Sequence, residues 1–422
     1  MIEIKQHSIH EFNFESVLID PLWNTGQEKE HMMHRIHSYP AKFPSFITTK
    51  ALGYATDQGL HIRRIADIFC GCGTTAFEAK RNNIDFWGCD INPVATLIAT
   101  TKSRKYQPGR LQKYYNRIFQ DFKKSDAKNQ YPEAKERLRH WYKEKQYNEL
   151  TRLKSVINQT TPEKSYYRSF FLCAFSNILK PTSVWLTKSI KPQVDPYKIP
   201  VDVWSAFEEQ CKKMFRANYE ISSFGDADST ILTGNFLDNK WDIPCVDMIV
   251  TSPPYVTSYE YADLHQLSAL WLDFAEDYKD LREGAIGSLY HGYNFNREFG
   301  HLNTSGWKIV ARLLDQNKSK SRPIAKYFLD MQKVAKKVFS ILSPNGMALF
   351  VIGNTEYKNV RIDNAKHLSE SLFEAGFQEV LATKRKISNK ILTPYRDQQG
   401  KFTSDSKGRK VYNEEFIIIG RK

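Results

Sequence analysis

From Arg63 to about Lys102 the chain repeats one rhythm: an apolar run short enough for a strand, a tight connection, and a helix. Ile65–Phe69 is the first apolar run and stops at Gly71 and Gly73. Thr74–Arg81 has helical character, and Asp85–Cys89 is a second strand-sized run. Asn92-Pro93 then opens another helix, with Asn as its cap and Pro in its first turn. Strands that alternate with helices predict βαβ units and a parallel sheet.

The rhythm breaks between Lys105 and Glu220, where long helix-like patterns carry many Lys, Arg, Tyr and Trp residues. This stretch holds 23 Lys+Arg against 12 Asp+Glu, so it supplies +11 of the chain's net +14. Charge concentrated in this way suits a solvated helical insertion or a surface that faces nucleic acid. The α/β rhythm returns at Ile231-Leu232 and Val246–Val250. After a long excursion to about Pro323 come a helix (Tyr327–Leu342), a turn at Ser343-Pro344-Asn345-Gly346 and a strand, Met347–Ile352. Two more strands are expected around Val380–Ser388 and Glu414–Gly420, joined by a polar loop. The sheet is thus split. Residues 1–104 carry its first half, 105–228 form a basic helical insertion and candidate DNA-binding region, and 229–422 carry its second half.

With 422 residues, 41% hydrophobic and 13% aromatic, the chain can bury a large interior and is not mainly disordered. Six cysteines are too sparse for a disulfide scaffold. No basic start followed by an apolar run marks a signal peptide, and no run of ~18 apolar residues marks a membrane span. These features predict a reduced, cytoplasmic protein with no membrane association.

Asp67-Ile68-Phe69-Cys70-Gly71-Cys72-Gly73-Thr74-Thr75 follows a strand and opens a helix. Glycines let backbone pass close under a ligand, and a helix N-terminus offers N–H groups to an anionic end. With Ala76 the loop also satisfies the loose Gly-x-Gly-x-x-Ala dinucleotide pattern, which keeps NAD in view. Asp90 closes the next strand, from which a carboxylate can accept hydrogen bonds from both hydroxyls of a ribose. A nucleoside cofactor is expected, its identity left open by the loop itself. Cys70, Cys72 and Cys89 have poor zinc spacing and read as small packing residues. His31, His34 and His37, three apart, suggest a metal face but lack an evident carboxylate partner. No metal is expected.

Thr251-Ser252-Pro253-Pro254-Tyr255 directly follows the buried run Val246–Val250. Two prolines could merely end a strand. Bracketed by a polar Ser and an aromatic Tyr, they instead make a stiff platform that offers a side-chain acceptor, a backbone carbonyl and a flat ring.

The pairing of Asp67–Thr75 with Thr251–Tyr255 resembles the amino-group DNA methyltransferases that use S-adenosylmethionine, and the Ser-Pro-Pro-Tyr form is similar to their cytosine-N4 branch. The likeness covers about Met32–Lys102 and Ile231–Lys422. Tyr39–Phe43 resembles the family's N-terminal motif that touches the methionine part of the cofactor, which implicates Tyr39, Lys42 and Phe43. Gly88–Pro93 resembles its acidic second strand, adding Asp90 and Ile91 to a cofactor set of Asp67, Phe69, Cys70, Gly71, Gly73, Thr74 and Thr75. Thr233-Gly234-Asn235-Phe236 resembles the segment that contacts the adenine ring, through Asn235 and Phe236. Arg385–Pro394 and Glu414–Lys422 resemble its closing antiparallel hairpin. The resemblance implies a Rossmann-like class I fold with a mostly parallel seven-stranded sheet, and a restriction-modification setting with a companion nuclease. The sequence departs from the family at Ile68 and Cys72, where many relatives carry Pro and Ser. Its large insertion also precedes Thr233–Phe236, whereas common layouts place the target-recognition region after that segment.

The exocyclic amine of cytosine is a poor nucleophile because its lone pair is delocalised. The Ser252 hydroxyl and Pro253 carbonyl are expected to accept its two N–H bonds, with Pro254 stiffening the platform, so that positioning and electrostatics drive transfer. The target must leave double-stranded DNA. Flipping costs a few kcal/mol, and stacking on Tyr255 returns roughly 1–3 kcal/mol. Trp185, Lys188 and Lys191, an aromatic interleaved with cations, are the expected DNA contacts in the basic insertion. Adenine-N6 methylation is the nearest alternative. C5 methylation needs a thiolate, and Pro244-Cys245 precedes its strand instead of following it. RNA as target, a NAD-dependent oxidoreductase and a non-catalytic DNA-binding protein are further alternatives.

Overall fold

A computed structural model describes residues 1–26, 29–40, 42–126, 129–189, 191–221, 224–238, 240–256, 261–289, 293–357, 360–387, 395–396, 402–403, 405, 409–410 and 414–422. Ala41, Ser388 and the hairpin segment 389–394 lie outside the described residues.

Among the described residues eight strands build the main sheet: β1 (Ile2–Ile4), β2 (Arg64–Asp67), β3 (Asp85–Asp90), β4 (Ser229–Thr233), β5 (Val246–Thr251), β6 (Leu342–Ile352), β7 (Glu379–Lys386) and β8 (Glu414–Arg421). Their spatial order is β1-β7-β8-β6-β5-β2-β3-β4. The run from β4 through β6 is parallel, while β8 inserts antiparallel between β6 and β7. Seven of these strands have the order of the class I methyltransferase sheet. The eighth, Ile2–Ile4, pairs antiparallel with β7 and extends that edge. At three residues it is too short to leave a periodic signal.

Neighbouring residues along the central strands enter opposite cores. Ile65, Leu349, Val351, Ile417 and Ile419 pack on one face with α1 (Ser45–Asp57) and α2 (Thr74–Arg81). Ala66, Phe350, Ile352, Phe416 and Ile418 pack on the other. Burial on both faces explains why β8 reads as an unbroken apolar run. Removing one such side chain, as in Ile418→Ala, costs about 2–5 kcal/mol.

Asn92 caps α3 (Pro93–Lys102) as expected, its Oδ1 accepting from Val94 N at 3.0 Å. The basic stretch supplies α4 (Pro108–Lys124), α5 (Glu144–Thr160), α6 (Tyr166–Ile178) and α7 (Val203–Glu220). In α4 Leu111, Ile118 and Phe122 form the buried stripe, while Lys113, Arg117, Lys123 and Lys124 are exposed. This helical core is continuous with Phe77 of α2, Val94 and Ile98 of α3, and Leu267, Leu270 and Trp271 of the short helix α8 (Gln266–Trp271). Helices α9 (Lys318–Ile341) and α10 (Asn364–Ala375) cover the second sheet face. The turn expected at Ser343–Gly346 is a bulge inside β6: Val246 pairs with Leu342 and Met248 with Met347, and Asn345 takes a φ of 61°. Among the described residues no helix is long and apolar enough to cross a membrane.

Candidate active site

Strand β2 lies between β3 and β5, where the winding of the sheet changes direction. Ligands of such sheets bind in the crevice outside the carboxyl ends of the strands flanking that point. Both motifs stand at those ends, β2 finishing at Asp67 and β5 at Thr251.

The glycine loop owes its path to two left-handed residues, Gly71 (φ 46°) and Gly73 (φ 75°). A Cβ on Gly73 would lie 2.6 Å from both Cα and Cβ of Ala99 in α3, so glycine is required there. A Cβ on Gly71 would meet the Tyr39 ring at an ordinary contact distance of 3.7 Å. Tyr39 in turn stacks on His265, with ring centroids 5.0 Å apart and planes inclined by 25°. Helix α2 has no side-chain cap, which leaves its first-turn N–H groups to a ligand. Thr74 and Thr75 are buried, Thr75 Oγ1 bonding Val250 O at 3.5 Å. Phe69 is half-buried and Cys70 is buried.

Asp90 accepts Gly71 N on Oδ2 and Asn92 N on Oδ1, both at 2.9 Å. Each oxygen retains capacity for a further donor. Burial pushes its carboxyl above the ordinary range. Ile91 lies against Gly284, whose carbonyl accepts from Asn235 Nδ2 at 2.8 Å. Asp67 Oδ1 accepts from Phe69 N at 3.2 Å and from Thr251 Oγ1 at 2.6 Å. Burial raises the Asp67 carboxyl to about 6, against the opposing pull of these hydrogen bonds.

On the β5 side, Ser252 Oγ donates to Val351 O at 3.0 Å. A hydroxyl whose proton is committed this way is left as an acceptor. Pro253 is buried, and Ser252, Pro254 and Tyr255 are half-buried. The Tyr255 ring lies on Gly353, where a Cβ would come within 2.9 Å of Cε1. Tyr255 Oη donates to Glu415 Oε1 at 2.5 Å, and Arg385 Nε donates to Glu415 Oε2 at 2.9 Å. The closing strands β7 and β8 therefore hold the ring of the Pro-Pro-Tyr segment. Neither Glu415 nor Arg385, nor His265 beneath Tyr39, carries a sequence signal beyond its place in a strand or helix end.

Several expected contacts take other roles. Phe236 is 2% exposed and packs edge-on against Trp87, so its ring is core and not a ligand wall. Asn235 Nδ2 donates to Gly284 O and its Oδ1 accepts from Leu237 N, both at 2.8 Å. Lys42 is ion-paired with Glu30 at 2.7 Å, and Phe43 is half-buried against the α1 core. Trp185 is 2% exposed and stacks on Trp141 at 4.8 Å, so it offers no face to a base. Lys188 and Lys191 are exposed.

The metal candidates diverge. His34 Nε2 bonds Glu78 at 2.7 Å, His37 Nε2 bonds Ser176 at 2.9 Å, and His31 faces Glu220 at 3.3 Å. Carboxylate partners that the sequence leaves hidden thus exist, one for His34 and another for His31. Cys89, Cys72 and Cys70 enter three different apolar clusters. Among the described residues no group of three His, Cys, Asp or Glu side chains could hold a metal ion. Cys245 sits at the amino end of β5, the far end from Ser252.

Fold and crevice together define a doubly wound α/β protein of class I methyltransferase topology, with a glycine-loop site at the switch point. No family model matches the chain. It is 22% identical over 397 residues to the Type II methyltransferase M.MvaI of Kocuria varians, covering 86% of this chain and 85% of that protein. It is 24% identical over 380 residues to the Type II methyltransferase M.AvaI of Nostoc sp., covering 74% and 73% respectively. The rRNA methyltransferase aviRa from Streptomyces viridochromogenes superposes with a TM-score of 0.30 at 9% identity, over 91% of this chain and 88% of that one. The fold assignment stands on strand order, not on that superposition.

Proposed function

We propose that this chain is an S-adenosylmethionine-dependent DNA methyltransferase that modifies the N4 amine of cytosine. The observation that carries the reading is the joining of the two motifs: Thr251, next to Ser252, is bonded directly to Asp67 of the cofactor loop. Long, low-identity similarity to two Type II methyltransferases supports it.

The residues present fit the cofactor. The space left by the missing Gly71 Cβ, the uncapped start of α2, the buried Asp67 and the half-buried Asp90 suit a ligand with a ribose, an amino-acid end and a positive centre. When bound, S-adenosylmethionine supplies a sulfonium-activated methyl group. Asp90 would receive the ribose hydroxyls, Tyr39 and the Gly71–Gly73 backbone would line the methionine end, and Asp67 would balance positive charge. Ser252, its proton held by Val351 O, accepts one N–H of the target amine, and the Pro253 carbonyl accepts the other. Accepting both N–H bonds draws the nitrogen out of conjugation with the ring and localises its lone pair for attack. Tyr255, fixed by Glu415 and Arg385, gives the everted base a stacking face. Double-stranded DNA is the substrate partner, and a cognate nuclease in a restriction-modification setting goes with this reading.

The test is transfer of tritiated methyl from S-adenosylmethionine to PCR-amplified DNA, which carries no prior methylation, with transcribed RNA alongside. Incorporation into DNA alone is expected. Incorporation only into RNA, or into neither, contradicts the reading.

A further inference from the structure

The basic insertion contains a segment whose side chains face the wrong way for a self-sufficient fold. In residues 191–201, Tyr197 is 92% exposed and Ile199 88%, with Val194 and Val201 also exposed. Between the first two, Lys198 turns inward, its Nζ donating to Lys180 O at 2.9 Å and Trp185 O at 2.7 Å. Asp195–Lys198 form a turn, Lys198 N donating to Asp195 O at 3.3 Å, and its path sends a lysine in while an aromatic and then a β-branched residue face out. Folding alone favours the reverse.

The backbone beneath these tips is well fixed. Asp195 N bonds Val184 O at 2.8 Å, Leu186 N bonds Gln193 O at 2.8 Å, and Val201 N bonds Pro181 O at 3.2 Å. Pro192, Pro196 and Pro200 each lock a φ angle. Trp185, against which the segment is anchored, stacks on Trp141, whose Nε1 donates to Gln266 of α8 at 3.0 Å. The helix that precedes the segment ends beside the cofactor site. At the end of α6 Asn177 accepts from Ser38 N at 2.9 Å and Ser176 bonds Ser268 at 2.7 Å. Ser38 precedes Tyr39 of the cofactor site.

We propose that residues 191–201 form a DNA-contacting ledge, with Tyr197 and Ile199 as apolar tips against bases or sugars and Lys188 and Lys191 as phosphate contacts. This inference rests on the DNA reading above. The occupant follows from charge: the tips stand in a region of net +11, which suits a polyanion. Apolar and aromatic tips are what proteins insert against base steps, while lysines at their margin track the backbone.

The test is binding of the full-length protein to a fluorescein-labelled PCR duplex by anisotropy at several salt concentrations, beside methyl transfer by the wild type. Both tips are exposed, so truncating them leaves the fold intact. Y197A/I199A is expected to weaken Kd about tenfold with the salt slope and cofactor binding unchanged. K188A/K191A is expected to lower the slope of log K against log salt by about two, roughly one per lost phosphate contact. An unchanged Kd in Y197A/I199A overturns the ledge, as does a wild type that does not bind the duplex. Weakened binding in that variant beside absent methyl transfer in the wild type leaves the ledge standing and removes the catalytic reading. Methyl transfer with an unchanged Kd does the opposite.

Discussion

Thr251 Oγ1 donates to Asp67 Oδ1 at 2.6 Å, joining the carboxyl ends of two adjacent parallel strands 184 residues apart in sequence. Thr251 is fully buried and Asp67 5% exposed, so the bond lies in a low-dielectric setting. Thr251→Val keeps the shape and leaves a buried carboxylate with one donor fewer. The expected loss is about 1–3 kcal/mol of stability, with a several-fold weaker affinity for S-adenosylmethionine. Denaturant melts and titration calorimetry measure both.

Cofactor affinity is expected to depend on pH through the same carboxyl. Burial is the largest influence on Asp67 and holds it protonated up to about pH 6. A ligand with a sulfonium centre favours the ionised form, so binding below that pH must displace a proton. Affinity for S-adenosylmethionine therefore falls as pH drops through 6. S-adenosylhomocysteine, whose sulfur is neutral, shows less dependence. Asp67→Asn flattens the S-adenosylmethionine profile. Calorimetric titrations from pH 5 to 8, with both ligands, test the sign.

Ser252 donates to Val351 O and presents acceptor capacity to the crevice. Ser252→Ala removes that acceptor without touching the glycine loop. Turnover is expected to fall about 10²-fold or more while cofactor affinity is retained, as for loss of one transition-state contact. Single-turnover methyl transfer beside calorimetry reads the two quantities. Unchanged turnover removes Ser252 from the chemistry.

The Tyr255 ring is set by Gly353 on one side and by its bond to Glu415 on the other. Tyr255→Ala loses a stacking surface of roughly 1–3 kcal/mol. Catalysis on a matched duplex falls as a result, and falls less when the target base is mismatched and already easier to extrude. Equal losses on both substrates in steady-state assays contradict the stacking role.

Both motifs were legible because their information is local. A strand that stops at glycines, or at Pro-Pro, announces its end, and the residues there face the crevice whatever surrounds them. Burial set by distant partners was not legible. Trp185 looks like a base-stacking residue beside Lys188 until Trp141, 44 positions earlier, covers it. Phe236 looks like a ligand wall until Trp87 packs against it. The exposed aromatic near Lys191 is Tyr197, turned outward where Lys198 turns in to bond Trp185 O. His34 and Glu78 are likewise joined by tertiary structure alone.

The central claim is methyl transfer to the exocyclic nitrogen of cytosine. The most direct measurement is mass spectrometry of nucleosides digested from PCR-amplified DNA, after incubation with the purified protein and deuteromethyl-labelled S-adenosylmethionine. Labelled N4-methylcytidine in its deoxy form is the expected product. Label in N6-methyladenine or 5-methylcytosine, or in no nucleoside at all, contradicts the account.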